Sequence, residues 1–200
     1  EGVRALQRCT AGMQFRFITT SPVLSFLWVP TLRTLDADNM VAVGQSGIDV
    51  YTQKADGKWH YLKTGRIWNA ADGSCPTGRL DGVRVAPGTP ILVNLPLYNG
   101  ISHFSLGIDP GATVSAMPRR KNGMMKPVVF YGTSITQGAS ASRPGLSFVN
   151  IVGRELDVPV VNLGFSGSGV MEFEMSEYLA KIDASCYVLD CLWNMGMEDP

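Results

Sequence analysis

The chain has 200 residues, and its 17 Lys and Arg balance 17 Asp and Glu. Zero net charge gives no electrostatic hold on nucleic acid or an anionic membrane, and 45% hydrophobic against 17% charged residues describes a chain that packs a core. The longest apolar stretch, 23–32, contains Pro30 and is too short for a transmembrane segment.

From the N-terminus, apolar residues alternate with polar ones. Met13, Phe15 and Phe17 fall on one face of a strand, with Gln14 and Arg16 on the other. Trp59 and Tyr61 alternate with His60, and Phe104, Leu106 and Ile108 with His103, Ser105 and Gly107. Turn residues punctuate the runs at 55–58, 87–89, 98–100 and 110–112. Period two with regular turns predicts an antiparallel β-sandwich, jelly-roll-like, over residues 1–118. Both histidines, His60 and His103, fall on the outward side of their strands. Residues 119–126 read as a linker, with Arg119, Arg120 and Lys121 a solvated basic cluster.

Beyond it the pattern changes to strand, helix, strand, helix, strand. Val128–Tyr131 is an apolar strand, and Val149, Val152 and Leu156 have helical spacing within 146–156. A second strand covers 158–163. Met175, Tyr178, Leu179 and Ile182 form one face of a helix over 174–182, and a third strand covers 186–193. This order predicts a parallel sheet with helices on both faces over residues 127–200. Of the four cysteines, Cys9 and Cys75 could pair in an oxidising compartment, while Cys186 and Cys191 point to opposite faces of one strand. The simpler reading is four free thiols. No spacing resembles a zinc site, and neither a metal nor another cofactor is expected.

Ligands bind beyond the carboxyl ends of such strands. Here the ends are "GTSITQG", "NLGFSGSG" and "WNMG". A serine at a sharp strand exit is either a turn residue or a nucleophile. Three polar ends converging on one rim favour acyl transfer: Ser134 as nucleophile, with the N–H groups of Ser134 and Gly167 and the side chain of Asn194 as oxyanion donors. Gly164, Gly167 and Gly169 could equally be loop glycines, and Asn162 and Asp190 read as structural hydrogen-bonders. Arg143 could hold an acidic substrate group such as a uronate, with a salt bridge the simpler reading. Asp49 and Tyr51 could line a cleft between the two regions or belong to a structural turn.

"FYGTSITQG", "NLGFSGSG" and "DCLWNM" resemble the first three blocks of the SGNH (GDSL-type) hydrolase superfamily. The resemblance implies a three-layer α/β/α, flavodoxin-like domain and esterase or acylhydrolase activity on a Ser-His-Asp triad. Thr133 replaces the aspartate of the family's Gly-Asp-Ser block, and Leu192 stands at the glycine of its Gly-x-Asn block, a departure expected to narrow the space beside Asn194. "GQSGIDVYTQ", 44–53, resembles the Gly-x-Asp-Leu-Tyr motif of a β-sandwich region preceding one bacterial group of SGNH esterases, with Val50 in place of leucine. "LPLYNG", 95–100, is also similar to that group. The group implies a secreted or periplasmic enzyme acting on a small-molecule or polysaccharide ester. The family's D-x-x-H block has no counterpart here and is expected beyond Pro200, which would leave the catalytic domain incomplete and the third strand with an uncovered apolar edge. A carbohydrate-binding protein with an inactive hydrolase domain, and a phosphate- or nucleotide-binding α/β module, are the alternatives. The second lacks both the P-loop lysine and a G-x-G-x-x-G run.

Overall fold

The computed structural model of the chain describes residues 2–68, 75–118, 120, 123 and 125–196. Arg119 and Lys121 of the expected basic cluster lie outside the described residues. After a short helix, α1 (Gly2–Leu6), come β1 (Gln14–Thr19) and β2 (Val23–Pro30). Helix α2 (Ala42–Ser46) leads into β3 (Ile48–Gln53), β4 (Trp59–Trp68), β5 (Thr77–Arg84), β6 (Pro90–Asn94), β7 (Ile101–Ile108) and β8 (Val114–Ala116). These eight strands form one sheet in the order β7-β2-β5-β4-β3-β6-β1-β8, antiparallel throughout.

The sheet is continuous because β4 serves both of its halves. Residues 59–65 of β4 pair with β3, and residues 66–68 pair with β5. The sheet therefore curls into a half-barrel, where two separate stacked sheets were expected. Its hollow is filled by Leu24, Phe26 and Trp28 of β2 against Ile48, Val50, Ile91 and Val93. Complete burial of each such side chain contributes about 1.5–3 kcal/mol. The Trp28 indole N–H, which would be costly to bury unpaired, donates to the Ser46 carbonyl at 2.9 Å.

In β1 the two faces differ from the alternation expected of them. Phe17 enters the core, but Met13 and Phe15 are exposed, Phe15 lying against the Phe104 ring at 4.7 Å. The polar face is half-buried and finds partners. Gln14 donates to Asn94 and Asn150, and Arg16 pairs with Asp157. Arg120 also pairs with Asp157, at 2.9 Å, so it is an interface residue and not a solvated one.

The remainder contains β9 (Val128–Gly132), α3 (Ser134–Gln137), a 3-10 turn at Pro144–Leu146, α4 (Phe148–Glu155), β10 (Val160–Gly164), α5 (Phe173–Leu179) and β11 (Cys186–Asp190). The strands are parallel, in the order β10-β9-β11. The expected three-layer flavodoxin-like domain is not what forms. The chain is mostly antiparallel half-barrel, with a small three-stranded parallel sheet and few, short helices. The physical reason lies in burial. Only the central strand β9 is enclosed, through Val129, Phe130 and Tyr131. Helix α5 has no buried residue, and Tyr187 and Leu189 of β11 are exposed. All four cysteines are free thiols, Cys191 buried just after β11 and Cys186 exposed within it.

Candidate active site

The turn after β9 is built by its own residues. Thr133, fully buried and extended, caps α3 by accepting the Ile135 N–H on its hydroxyl. Capping is a role that aspartate also fills, which accounts for threonine standing where the family's first block has aspartate. Ser134 is the first helical residue and is half-buried. Gly138 closes the turn in a left-handed conformation, φ 116°.

The loop after β10 is pressed against this turn. A side chain at Gly164 would run into the backbone of Thr136 and Gln137, so only glycine allows the approach. Two carboxamides then join the segments. Asn162 donates to the Thr136 carbonyl at 2.8 Å and accepts from Gly164 N–H at 2.9 Å. Buried Gln137 accepts from Ser166 N–H at 2.9 Å and donates to the Leu97 carbonyl at 3.2 Å. Gly167 is exposed, with φ 71° and open space where a side chain would stand.

The end of β11 reaches both neighbours. Asp190 accepts from the Thr136 hydroxyl at 2.8 Å, which makes it a structural acceptor. The Asn194 side-chain amide donates to the Ser168 carbonyl. Leu192 points outward and is 80% exposed, so it does not narrow the space beside Asn194. The structure thus gathers the three strand ends into one hydrogen-bonded cluster, with one Asn194 N–H spent on backbone.

Glu172 braces the same loop, a role the sequence did not suggest. Its carboxylate accepts from Gly169 and Val170 N–H groups, both at 3.0 Å, and from the Tyr131 hydroxyl. Burial alone would raise its pKa, but these hydrogen bonds outweigh burial and hold it below the ordinary value. Burial, followed by the bond to Glu172 and its charge, pushes the Tyr131 phenol up. A cavity of about 650 Å³ opens beside Ser168, Glu172 and Tyr178, with α1 as its far wall. Ser134 does not line it.

The other expected site residues lie elsewhere. Asp49 is fully buried between the half-barrel and the turn before α4. It accepts from Asn94 Nδ2 at 2.7 Å and Gly145 N–H at 2.8 Å, and pairs with Arg143 at 3.3 Å. Burial, opposed by those bonds and by the charges of Arg143 and Arg154, pushes its carboxyl above the ordinary range. Arg143 also donates to the Tyr51 hydroxyl at 3.2 Å and lies over the Tyr61 ring, while Arg154 covers the Tyr51 ring. Asp49, Tyr51 and Arg143 therefore face one another at the joint between the two sheets, with Arg143 Nε buried and without a hydrogen-bond partner. His60 pairs with Asp56, and His103 bonds Ser105, both exposed on the half-barrel. Among the described residues, no group of His, Cys, Asp and Glu is arranged to hold a metal.

Residues 125–199 match the GDSL-like lipase/acylhydrolase family, and residues 1–114 match the GxDLY family, the N-terminus of the SGNH-hydrolase esterase type. Among solved structures, a protein from Bacteroides ovatus, provisionally named a GDSL-like lipase, is 34% identical with a TM-score of 0.84, over 97% of this chain and 55% of that one. The salicylyl-acyltransferase SsfX3 from a tetracycline biosynthetic pathway is 18% identical with a TM-score of 0.63, over 90% of this chain and 48% of that one, and shares the fold. The chain thus spans about half the length of these two proteins. No curated protein gives a significant match. With family models over both of its regions, the chain belongs to the GxDLY group of SGNH-type esterases and carries a GDSL-like lipase/acylhydrolase segment.

Proposed function

We propose that the protein is a serine esterase or acylhydrolase acting on a carboxylic ester, and that Ser134 forms the acyl-enzyme. The observation that carries the reading is the convergence of the β9, β10 and β11 ends around the Ser134 turn, held by Gln137, Asn162 and Asp190. In the proposed reaction Ser134 Oγ attacks the ester carbonyl carbon and gives its proton to a base. The carbonyl π electrons move onto oxygen, then return as the C–O bond to the alcohol breaks and the alcohol takes up a proton. Water releases the acid by the same steps. The backbone N–H groups of Ser134 and Gly167 are assigned to the oxyanion. A carboxamide has two N–H bonds; Asn194 uses one on Ser168, and the other is assigned to the oxyanion. His60 and His103, paired and exposed on the half-barrel, are not assigned as the base.

A glycan ester is the proposed substrate class, on the strength of the GxDLY resemblance. The test is hydrolysis of p-nitrophenyl acetate and of acetylated oligosaccharides by the full-length protein, with Ser134→Ala as control. Loss of about 10³-fold or more in kcat in the variant is expected. Equal rates in the two proteins would remove Ser134 from the chemistry. Hydrolysis of the simple ester without the glycan ester would remove the substrate assignment alone.

A further inference from the structure

The half-barrel sends one side chain into the candidate site. Residues 95–99 leave β6 and are pinned in place: Leu97 N–H donates to Gly44 O, Tyr98 N–H donates to Gln45 O at 3.1 Å, and buried Asn99 accepts from Leu32 N–H at 2.9 Å. From this fixed backbone the Tyr98 ring reaches the Ser134 turn, where its hydroxyl donates to the Ser134 carbonyl at 3.1 Å. A phenol has one O–H to give, and here it goes to the backbone of the candidate nucleophile itself. Burial, the largest influence, keeps the phenol above its ordinary pKa, so it remains a neutral donor at neutral pH. On the neighbouring residue, the Leu97 carbonyl accepts from Gln137, whose other end holds Ser166 N–H. Leu97 and Tyr98 therefore hold α3 at its first and last residues, and Gln137 passes that hold to the loop after β10.

We infer that Tyr98 is a positioning residue of the active site: its hydroxyl fixes the Ser134 backbone at the head of α3, so that the half-barrel builds part of the site. The inference rests on the acylation reading above. An oxyanion donor misplaced by a fraction of an ångström serves the transition state poorly while leaving substrate binding intact. Loss of the hydroxyl should therefore appear in kcat and not in KM.

The experiment compares full-length wild type with Tyr98→Phe and Tyr98→Met, measuring p-nitrophenyl acetate kinetics, the rate of fluorophosphonate labelling at Ser134, and the urea midpoint. Tyr98→Phe keeps the ring and its packing. It is expected to lower kcat and the labelling rate by about tenfold, with KM within about twofold. Tyr98→Met, which also lacks the hydroxyl, provides the same test should Tyr98→Phe fold poorly. Unchanged kcat in the folded Tyr98 variants, or a raised KM and lowered midpoint with kcat intact, overturns the inference and leaves the esterase reading standing. A wild-type protein that neither hydrolyses the ester nor takes label at Ser134 overturns the reading itself, and the inference with it.

Discussion

Replacing Asp49 with alanine tests what the Gly-x-Asp-x-Tyr motif is for. The side chain is fully buried, and its removal strands two donors, Asn94 Nδ2 and Gly145 N–H, and takes the counter-charge from the Arg143 guanidinium. Breaking a buried ion pair from one side costs about 3–5 kcal/mol, because the remaining charge is left uncompensated. Each stranded neutral donor costs about 1–3 kcal/mol alone. These terms share one site and do not add, so about 3–5 kcal/mol is the expected total. With a urea slope of about 2 kcal/mol/M, the midpoint should fall by about 1.5–2.5 M. Burial already pushes the Asp49 carboxyl above its ordinary pKa, so a neutral side chain of the same shape is better tolerated, and Asp49→Asn should lose less than Asp49→Ala. Urea unfolding followed by tryptophan fluorescence measures both. A midpoint shift below about 0.5 M for Asp49→Ala, about 1 kcal/mol on the same slope, would refute the reasoning and return Asp49 to the candidate substrate contacts.

Gly164→Ala should separate the Gly167 loop from α3, since the new methyl meets the backbone of Gln137. The expected loss is about 1–3 kcal/mol in urea unfolding, with slower ester hydrolysis; a variant as stable and active as wild type would show that the two segments need not touch. Glu172 has its folded pKa lowered, so the stability it contributes is present above its unfolded value, about 4.3, and is lost as pH falls through the folded one. The midpoint difference between wild type and Glu172→Gln should therefore be largest near neutrality and close on acidification below about pH 4. A difference constant with pH would mean that the carboxylate is not charged in the fold.

Local elements were legible where period and punctuation agree. The apolar run at Val128–Tyr131 and the glycine after it mark β9 and its turn, and Met175, Tyr178 and Leu179 mark α5. Their layering was not legible. An apolar face at helical spacing states a preference for burial without saying that a partner covers it, and α5 and β11 remain largely exposed. The alternation in β1 misassigned Met13 and Phe15 because α4 and Asp157 bring polar partners to the opposite face. Within the site, Ser134 and Gly167 stand next to turn signals that can be read locally. Gln137, Tyr98 and Glu172 act on residues about 30 to 40 positions away, a separation that leaves no periodic trace. Asp49 did carry a signal. A carboxylate between Ile48 and Val50 in a strand, on the same face as Tyr51, needs a buried partner, and Arg143 supplies it.

Active-site labelling tests the central claim most directly. The full-length protein is treated with a fluorophosphonate, digested, and the modified residue located by mass spectrometry. The account predicts a single adduct on Ser134, absent in Ser134→Ala and slowed in Gly164→Ala. An adduct on Ser166 or Ser168, or none under conditions where the protein hydrolyses an ester, would contradict it.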